Sequence, residues 1–185
     1  MQLSKKNLAL INAEQVTKPT EAQLSLPEKV LQFGTGVLLR GLPDYFIHQA
    51  NRQGLFNGRI VVVKSTGTGD LNPFTEQDHL YTLCIRGIEE GNQISANVIC
   101  AAISRVISAP EDWKTVLECA ANADINIIIS NTTEVGIQLV EESIFQTPPL
   151  SFPAKLLSFL YERFKKLGDS DASKTVVLPT ELISD

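Results

Sequence analysis

Two glycines, Gly34 and Gly36, directly follow a short apolar run and precede a stretch with helical periodicity. Because glycine has no Cβ, the backbone N–H groups of such a turn can come close to a phosphate. The apolar residues that recur at helical spacing afterwards are Val37, Leu38, Leu42, Tyr45, Phe46 and Ala50. The pattern predicts a helix from about Gly36 to Gly54, with its positive end directed at an anionic pyrophosphate.

The glycine pair is an incomplete fingerprint of a dinucleotide site. The full pattern has a third glycine at position 39, where this chain has Leu39, and the next glycine is Gly41. An ordinary strand-to-helix turn therefore stays open as the alternative interpretation of this stretch. The predicted elements on either side of the turn have to decide between a dinucleotide site and an ordinary turn.

Those elements predict a Rossmann-type, doubly wound α/β fold with a mostly parallel sheet and an inserted β-hairpin. Apolar, β-branched runs typical of buried parallel strands are Val30–Phe33, Arg59–Thr66, Ile125–Ser130 and Thr175–Pro179. Further helices are expected from a Ser108 cap to about Ala121 and over Phe152–Leu167. The hairpin is expected from Leu80–Arg86 and Ile94–Ser108. In the last helix we expect a buried stripe made of Leu156, Leu157, Leu160, Tyr161 and Phe164.

The domain organisation follows from these elements. Residues 1–27 mix polar residues with scattered leucines and predict a lead-in with one short helix over Ser4–Glu14. Residues 28–185 contain all the predicted strands and form one nucleotide-binding domain.

Composition and charge narrow the class of protein. A chain of 185 residues that is 43% hydrophobic and 20% charged suits one soluble domain with a full core. A net charge of −5 without a clustered basic stripe argues against a nucleic-acid partner. The apolar runs are much shorter than a membrane span or a signal-peptide core, so we expect no membrane partner and a cytoplasmic location.

The three cysteines, Cys84, Cys100 and Cys119, are widely spaced and odd in number. This spacing argues against a disulfide framework and a structural zinc site, so no metal is expected. We predict buried free thiols in a reducing compartment.

Polar residues follow two of the predicted strands, where open α/β sheets bind ligands. The second strand ends on Lys64, Ser65 and Thr66, at the place where a dinucleotide site usually carries an acidic residue for the ribose. Ser65 is a candidate contact for the ribose. Because a lysine can bind a 2′-phosphate, Lys64 leaves both NAD and NADP possible as the cofactor. Asn131 and Thr132 follow the strand at 125–130, with helix capping by Asn131 or Thr133 as the alternative role.

The chain resembles the N-terminal nucleotide-binding domain of the mannitol dehydrogenase family, the long-chain polyol dehydrogenases. The resemblance runs from about Pro27 to the end of the chain. It rests on four ordered stretches, VLQFGTGVLLRG at Val30–Gly41, QDHLYTL at Gln77–Leu83, IIISNTTEVG at Ile127–Gly136 and LPTELISD at Leu178–Asp185.

This resemblance implies a Rossmann domain that binds NAD(H) in a sugar-acid oxidoreductase. In the family, a mostly helical C-terminal domain supplies a catalytic lysine with nearby asparagine and histidine, so no catalytic residue is expected within these 185 residues. The turn from Gly34 to Leu38 and Arg40 would hold the pyrophosphate, and Asn131 and Thr132 would approach the nicotinamide. The cofactor-binding positions are thus Phe33, Gly34, Thr35, Gly36, Val37, Leu38, Arg40, Ser65, Asn131 and Thr132.

Three other readings stay open. The first is the same domain in a different polyol or sugar-acid dehydrogenase of the family, and the second is a non-catalytic NAD-sensing module. A methyltransferase shares the strand–glycine-turn–helix start, although it needs an acidic residue after the second strand, where this chain has Lys64, Ser65 and Thr66. A P-loop nucleotidase is excluded because the chain lacks the Gly-Lys-Ser/Thr motif.

Overall fold

The computed structural model describes residues 1–182 and contains a five-stranded sheet, with helices on both faces, and a separate two-stranded hairpin. The strands of the sheet are β1 (Glu28–Phe33), β2 (Arg59–Lys64), β5 (Ile103–Ser108), β6 (Ile127–Ser130) and β7 (Val176–Pro179), and those of the hairpin are β3 (Tyr81–Glu89) and β4 (Asn92–Cys100). The sheet order is β5-β2-β1-β6-β7, with every pair parallel. The predicted Rossmann-type fold with an inserted hairpin is confirmed. The end of the LPTELISD motif, residues 183–185, lies outside the described residues.

The helices cover both faces of the sheet. They are α1 (Glu21–Leu24), α2 (Val37–Gly41), α3 (Pro43–Arg52), α4 (Asn72–Thr75), α5 (Trp113–Glu118) and α6 (Phe152–Leu167), with 3₁₀ helices at Lys5–Leu10, Cys119–Ala121 and Asp171–Ser173. Successive strand residues point to opposite faces. Leu31 and Phe33 therefore pack with α5 and α6, while Val30 packs on the other side with α2, α3 and the hairpin.

The prediction of a single helix from Gly36 to Gly54 is wrong, because the helix is interrupted at Leu42, which has φ −117° and ψ −84°. Pro43 is the cause: proline disfavours helical backbone in the residue before it and is well suited to the first position of a new helix. The helix that follows the glycine turn, α2, is therefore only five residues long. Its dipole contributes little, and any anion at the turn would be held chiefly by the N–H groups of the turn itself.

The predicted second hairpin strand, Ile94–Ser108, is two strands in the structure. β4 pairs antiparallel with β3, and β5 pairs parallel with β2. The chain changes partner at the buried Ala101 and Ala102. There the Ala101 N–H donates to His48 Nδ1 at 3.4 Å, and the Ala102 carbonyl accepts from the Ile60 N–H at 2.8 Å. The run of apolar residues from Val98 to Ile103 continues through this junction and so does not reveal it.

Ser108 does not cap α5 as predicted, because it is the last residue of β5. Asp112 is the cap, and its side chain accepts a hydrogen bond of 3.1 Å from the Thr115 N–H. The predicted end of this helical region, Ala121, is reached through a closing 3₁₀ turn.

The bounds predicted for α6 are confirmed, but its buried stripe is only partly right. Leu156 and Leu160 pack against the core as expected, whereas Leu157, Tyr161 and Phe164 are exposed. The side chains that are fully covered instead are Phe159 and Arg163. Arg163 is buried because its guanidinium donates to backbone carbonyls of the neighbouring 3₁₀ segments, including those of Asn122 at 2.9 Å and Ser173 at 3.1 Å.

The segment at residues 1–27, predicted as a lead-in, packs against the hairpin. Its predicted helix is a shorter 3₁₀ helix, and Leu8 joins a third core cluster with Leu80, Ile99 and Ala101. Thr17 extends the hairpin sheet, since its N–H donates to the Asn97 carbonyl and its carbonyl accepts from the Ile99 N–H, both at 2.9 Å.

The three cysteines are free thiols. Cys100 and Cys119 are buried as predicted, whereas Cys84 is exposed because it lies on the outward side of the hairpin strand β3. Within residues 1–182, none of the helices is long and apolar enough to cross a membrane. Over the same range, no group of three or more His, Cys, Asp or Glu side chains could hold a metal ion.

Candidate functional site

The glycine turn lies at the point where the strand order of the sheet reverses. From β1 the chain crosses to β2 on one side, while β6 lies on the other, so the connections diverge beyond the carboxyl ends of β1 and β6. In open α/β sheets, ligands bind in the crevice at such a switch point. Gly34 follows β1 and Asn131 follows β6, and the Asn131 N–H donates to the Phe33 carbonyl at 3.3 Å. The topology thus brings together two predicted site segments that are far apart in the sequence.

Gly34 is required by the fold. Its φ is +125°, a backbone conformation that residues with a side chain rarely adopt. A Cβ at this position would lie 2.9 Å from Leu39 Cδ1 and 3.2 Å from the Asn131 carbonyl oxygen. Leu39, which replaces the third glycine of the fingerprint, is buried in the core. The core packing around Gly34 therefore accommodates a leucine at the position of the third glycine.

Gly36 differs from Gly34, because neither the backbone nor the packing requires it. Its φ of −65° is open to any residue, and a Cβ there would meet nothing within 4 Å. The space in front of Gly36 is therefore open. A glycine here is what a close approach between the backbone and a ligand needs, so the turn fits a pyrophosphate.

The remaining predicted contacts are placed around this turn. Val37 and Leu38 are exposed and Thr35 is half-buried. The Arg40 guanidinium is turned toward the hairpin, with its Cζ 5.7 Å from the Phe74 ring centre and 5.9 Å from the Tyr81 ring centre.

At the end of β2, Ser65 is half-buried, one strand away from the glycine turn. The neighbouring Lys64 is almost fully buried, and its ammonium donates to the Thr66 carbonyl at 2.8 Å. Lys64 thus holds the loop that follows β2.

Asn131 and Thr132 are anchored to the residues that follow β7. The Asn131 side-chain amide donates to the Thr180 carbonyl at 2.7 Å, and the Thr132 N–H donates to Glu181 Oε1 at 3.3 Å. Helix capping, the alternative role for this cluster, does not occur: Thr133 Oγ1 accepts from the Gly136 N–H in a turn, and the next helix begins at Phe152. The edge of the site is thus built from two neighbouring strand ends.

Sequence reasoning missed a polar group beneath the turn, made of the buried Gln32, Asp44 and His48 and the half-buried Tyr81. Gln32, on β1, has an exposed fraction of 0%, and its Nε2 lies 3.4 Å from the Gly34 carbonyl oxygen and 3.5 Å from Asp44 Oδ2. The Tyr81 hydroxyl donates to the Arg40 carbonyl at 2.7 Å. The signal available in the sequence was Gln32 itself, a single amide in the apolar run VLQF.

Burial shifts the pKa values of the two ionisable residues Asp44 and His48 in this group. It raises the pKa of Asp44 to about 7, against the opposing effects of the Gln32 hydrogen bond and the Arg40 charge. Burial, with Arg52 nearby, lowers the pKa of His48 to about 4, so this imidazole is neutral. Because His48 Nδ1 accepts from the Ala101 N–H, the proton lies on Nε2. Asp44 is the one member of this group whose charge changes near neutral pH.

Comparison with known proteins identifies relatives of the chain. Residues 28–184 match the family model described as the mannitol dehydrogenase Rossmann domain. An altronate oxidoreductase of Halalkalibacterium halodurans is 44% identical over 160 residues, which are 85% of this chain and 31% of that protein. An altronate oxidoreductase of Bacillus subtilis is 39% identical over 86% of this chain and 33% of its own length. The chain thus spans about a third of the length of these curated relatives.

Two solved structures share the fold. A D-sorbitol dehydrogenase in substrate-free form superposes with a TM-score of 0.80 at 19% identity, over 99% of this chain and 40% of that one. A Pseudomonas fluorescens mannitol 2-dehydrogenase in a ternary complex with NAD and D-mannitol gives 0.75 at 15% identity, over 98% of this chain and 39% of that one.

The two glycines of the turn should respond differently to the same added methyl group. Gly34→Ala should lower the free energy of unfolding by about 2 kcal/mol, because the alanine would have a strained φ and a Cβ contact that is too close. Gly36→Ala should change it by less than about 0.5 kcal/mol, since its Cβ points into open space. Urea denaturation of both variants measures the difference, and equal losses would contradict this account of the turn.

Asp44→Asn should change how stability depends on pH. Because the pKa of Asp44 rises from 3.8 unfolded to about 7 folded, the folded chain keeps a proton that the unfolded chain releases between these values. The parent should therefore lose up to about 4 kcal/mol of stability as pH rises through this window, and the loss should level off above the folded pKa. This part of the pH dependence should be missing in Asp44→Asn.

Thermal denaturation across this pH range, with the exposed Asp169→Asn as the matched control, provides the measurement. The control should keep the slope of the parent. A parallel slope in Asp44→Asn would show that the Asp44 carboxyl does not titrate in this window.

Proposed function

The chain belongs to the mannitol dehydrogenase family, and we propose on this basis that it is the NAD(H)-binding Rossmann domain of a sugar-acid oxidoreductase. The observation that carries the proposal is the glycine turn at the switch point, within a chain 44% identical to an altronate oxidoreductase. We further propose the reaction as the NADH-dependent reduction of D-tagaturonate to D-altronate in hexuronate catabolism. The enzyme is then a tagaturonate reductase.

The residues of the turn would bind and orient the cofactor. The open space before Gly36 lets the backbone N–H groups that follow Gly34 reach the pyrophosphate. Asn131 and Thr132, held by the Thr180 carbonyl and by Glu181, would lie beside the nicotinamide. The cofactor supplies the hydride when bound, and the protein positions it against the substrate.

The surroundings of Lys64 support NAD over NADP as the cofactor. A lysine that reads a 2′-phosphate needs a free ammonium, but the Lys64 ammonium is buried and bonded to the Thr66 carbonyl. Ser65, the next residue, is accessible for a neutral contact with the ribose. A strand end whose lysine is almost fully buried suits hydroxyl groups better than a phosphate.

We also propose that the protein works in the cytoplasm. Its three cysteines are free thiols, and one of them, Cys84, is exposed. An exposed thiol persists in a reducing compartment and is prone to oxidation outside it.

Calorimetric titration of the chain with NADH and NADPH, side by side, tests the cofactor and the site together. NADH should bind the parent more tightly than NADPH, and Gly36→Val should abolish NADH binding because its side chain fills the space in front of the turn. The matched control is Gly87→Val, an exposed hairpin position where a Cβ also meets nothing within 4 Å; it should bind like the parent.

Three results would argue against this assignment. Undiminished binding to Gly36→Val would place the site elsewhere, and tighter binding of NADPH would assign Lys64 to a 2′-phosphate. No binding of either nucleotide would contradict the proposed NAD site.

The 185-residue chain should not reduce tagaturonate by itself. The family resemblance implies that the proton-transfer lysine lies in a second domain, and general acid–base assistance is worth roughly 100-fold to 10,000-fold in rate. The assay follows the loss of NADH absorbance with tagaturonate and, for the alternative fructuronate reductase, with fructuronate. The altronate oxidoreductase of Bacillus subtilis is the positive control. Turnover by the chain alone would show that it carries its own catalytic group.

A further inference from the structure

Gln32 connects the buried core to the glycine turn through a single amide group. Its Nε2 lies within hydrogen-bond distance of two acceptors, the Gly34 carbonyl oxygen at 3.4 Å and Asp44 Oδ2 at 3.5 Å. The Gly34 carbonyl oxygen can only accept a hydrogen bond, so the NH₂ end of the amide must point toward it. Gln32 is fully buried, and water is therefore not available to replace either contact.

The direction of the Gly34 carbonyl determines where the next N–H points. In a trans peptide the C=O and the following N–H point in opposite directions. The Gly34–Thr35 bond is trans, since the cis bond in the described chain is Thr147–Pro148. A Gly34 carbonyl directed inward at Gln32 therefore directs the Thr35 N–H outward. Within residues 1–182, the Thr35 and Gly36 N–H groups donate no hydrogen bond, so both remain available to a ligand.

Gln32 is needed to hold this peptide because Gly34 itself is permissive. A glycine populates several backbone conformations at similar cost, so sterics alone do not select one orientation of the peptide that follows it. The N–H of Gly34 is held by the Val63 carbonyl at 3.0 Å, on the other side of the residue. The Gln32 amide completes the restraint at the carbonyl.

Asp44 anchors the Gln32 amide from α3. Its carboxyl is fully buried and accepts from Gln32 Nε2, while its backbone carbonyl is 3.7 Å from Cys100 Sγ. His48 follows it by four residues on α3 and so neighbours it on the helical surface, while the charge of Arg40, on the separate helix α2, also acts on its carboxyl. A side chain with no hydrogen-bonding group at position 44 would free the Gln32 amide to leave the Gly34 carbonyl.

We propose that Gln32 and Asp44 are positioning residues for the cofactor, which fix the Gly34–Thr35 peptide so that the Thr35 N–H points at the pyrophosphate. The identity of the anion rests on the proposed function. The orientation of the peptide is a property of the chain alone, and it can be tested without cofactor.

The first test is Gln32→Met, which keeps the length and apolar volume of the side chain and removes its donor. In the backbone ¹H–¹⁵N spectrum of the cofactor-free chain, the Thr35 and Gly36 resonances should shift or broaden. They should coincide with those of the parent in the control Gln93→Met, at an exposed hairpin position. NADH affinity should fall by at least about tenfold in Gln32→Met, the equivalent of one hydrogen bond, and stay unchanged in the control.

The second test separates positioning from simple loss of stability. Asp44→Asn keeps an acceptor for Gln32, whereas Asp44→Leu removes it at similar volume. In Asp44→Asn the Thr35 resonance and the NADH affinity should match those of the parent. In Asp44→Leu the resonance should shift or broaden and the NADH affinity should fall. Circular dichroism spectra should show that both variants are folded. This pair also decides the matter if Gln32→Met does not fold.

The outcomes distinguish this inference from the proposed function. Unmoved Thr35 and Gly36 resonances in folded Gln32→Met overturn it, and so does NADH affinity equal to that of the parent. If the parent binds no NADH, the proposed function fails, and the resonance comparison still decides whether Gln32 and Asp44 set the peptide.

Discussion

The structure depends on the turn at Gly34, where the chain leaves β1, the central strand of the sheet. Its N–H is bonded to Val63 on one neighbouring strand, while Asn131 at the end of the other strand leaves no room for a Cβ. The turn is therefore held from both sides by the sheet, at the place where the connections diverge. A ligand site built on it inherits the rigidity of the sheet and needs little ordering when it binds.

Beneath this turn the core is polar, which is costly unless each group finds a partner. Gln32, Asp44 and Tyr81 hold carbonyls or each other around the turn, and burial raises the pKa of Asp44 to about 7. An apolar core here would pack as well, but it could not direct a peptide unit. The polar group thus trades some stability for a defined backbone orientation, a pattern that is common at functional sites.

The hairpin explains why this Rossmann domain departs from the simplest version of its fold. It contributes Tyr81 to the polar group, and the ring of the same residue lies beside the Arg40 guanidinium, while its other side is covered by the segment at 1–27. The family model begins at residue 28, so this covering segment lies outside the match. The insertion therefore supports the turn from below and carries its own small core.

Local composition was enough to identify β1, β2, β6, β7, the hairpin, the helix at 152–167 and the glycine turn, because β-branched runs, turn residues and helical periodicity act over a few residues. It did not separate β5 from the hairpin strand β4. The motifs likewise identified the family. Tertiary structure decided the rest. Pro43 divides into α2 and α3 the stretch that periodicity predicted as one helix. In α6, packing buries Phe159 and leaves Leu157 exposed. The polar group beneath the turn was also beyond local patterns, since Gln32, Asp44 and Tyr81 meet only after three separate elements pack together. Periodicity shows that a segment has an apolar face, but which side chains are covered depends on the partner that each face meets.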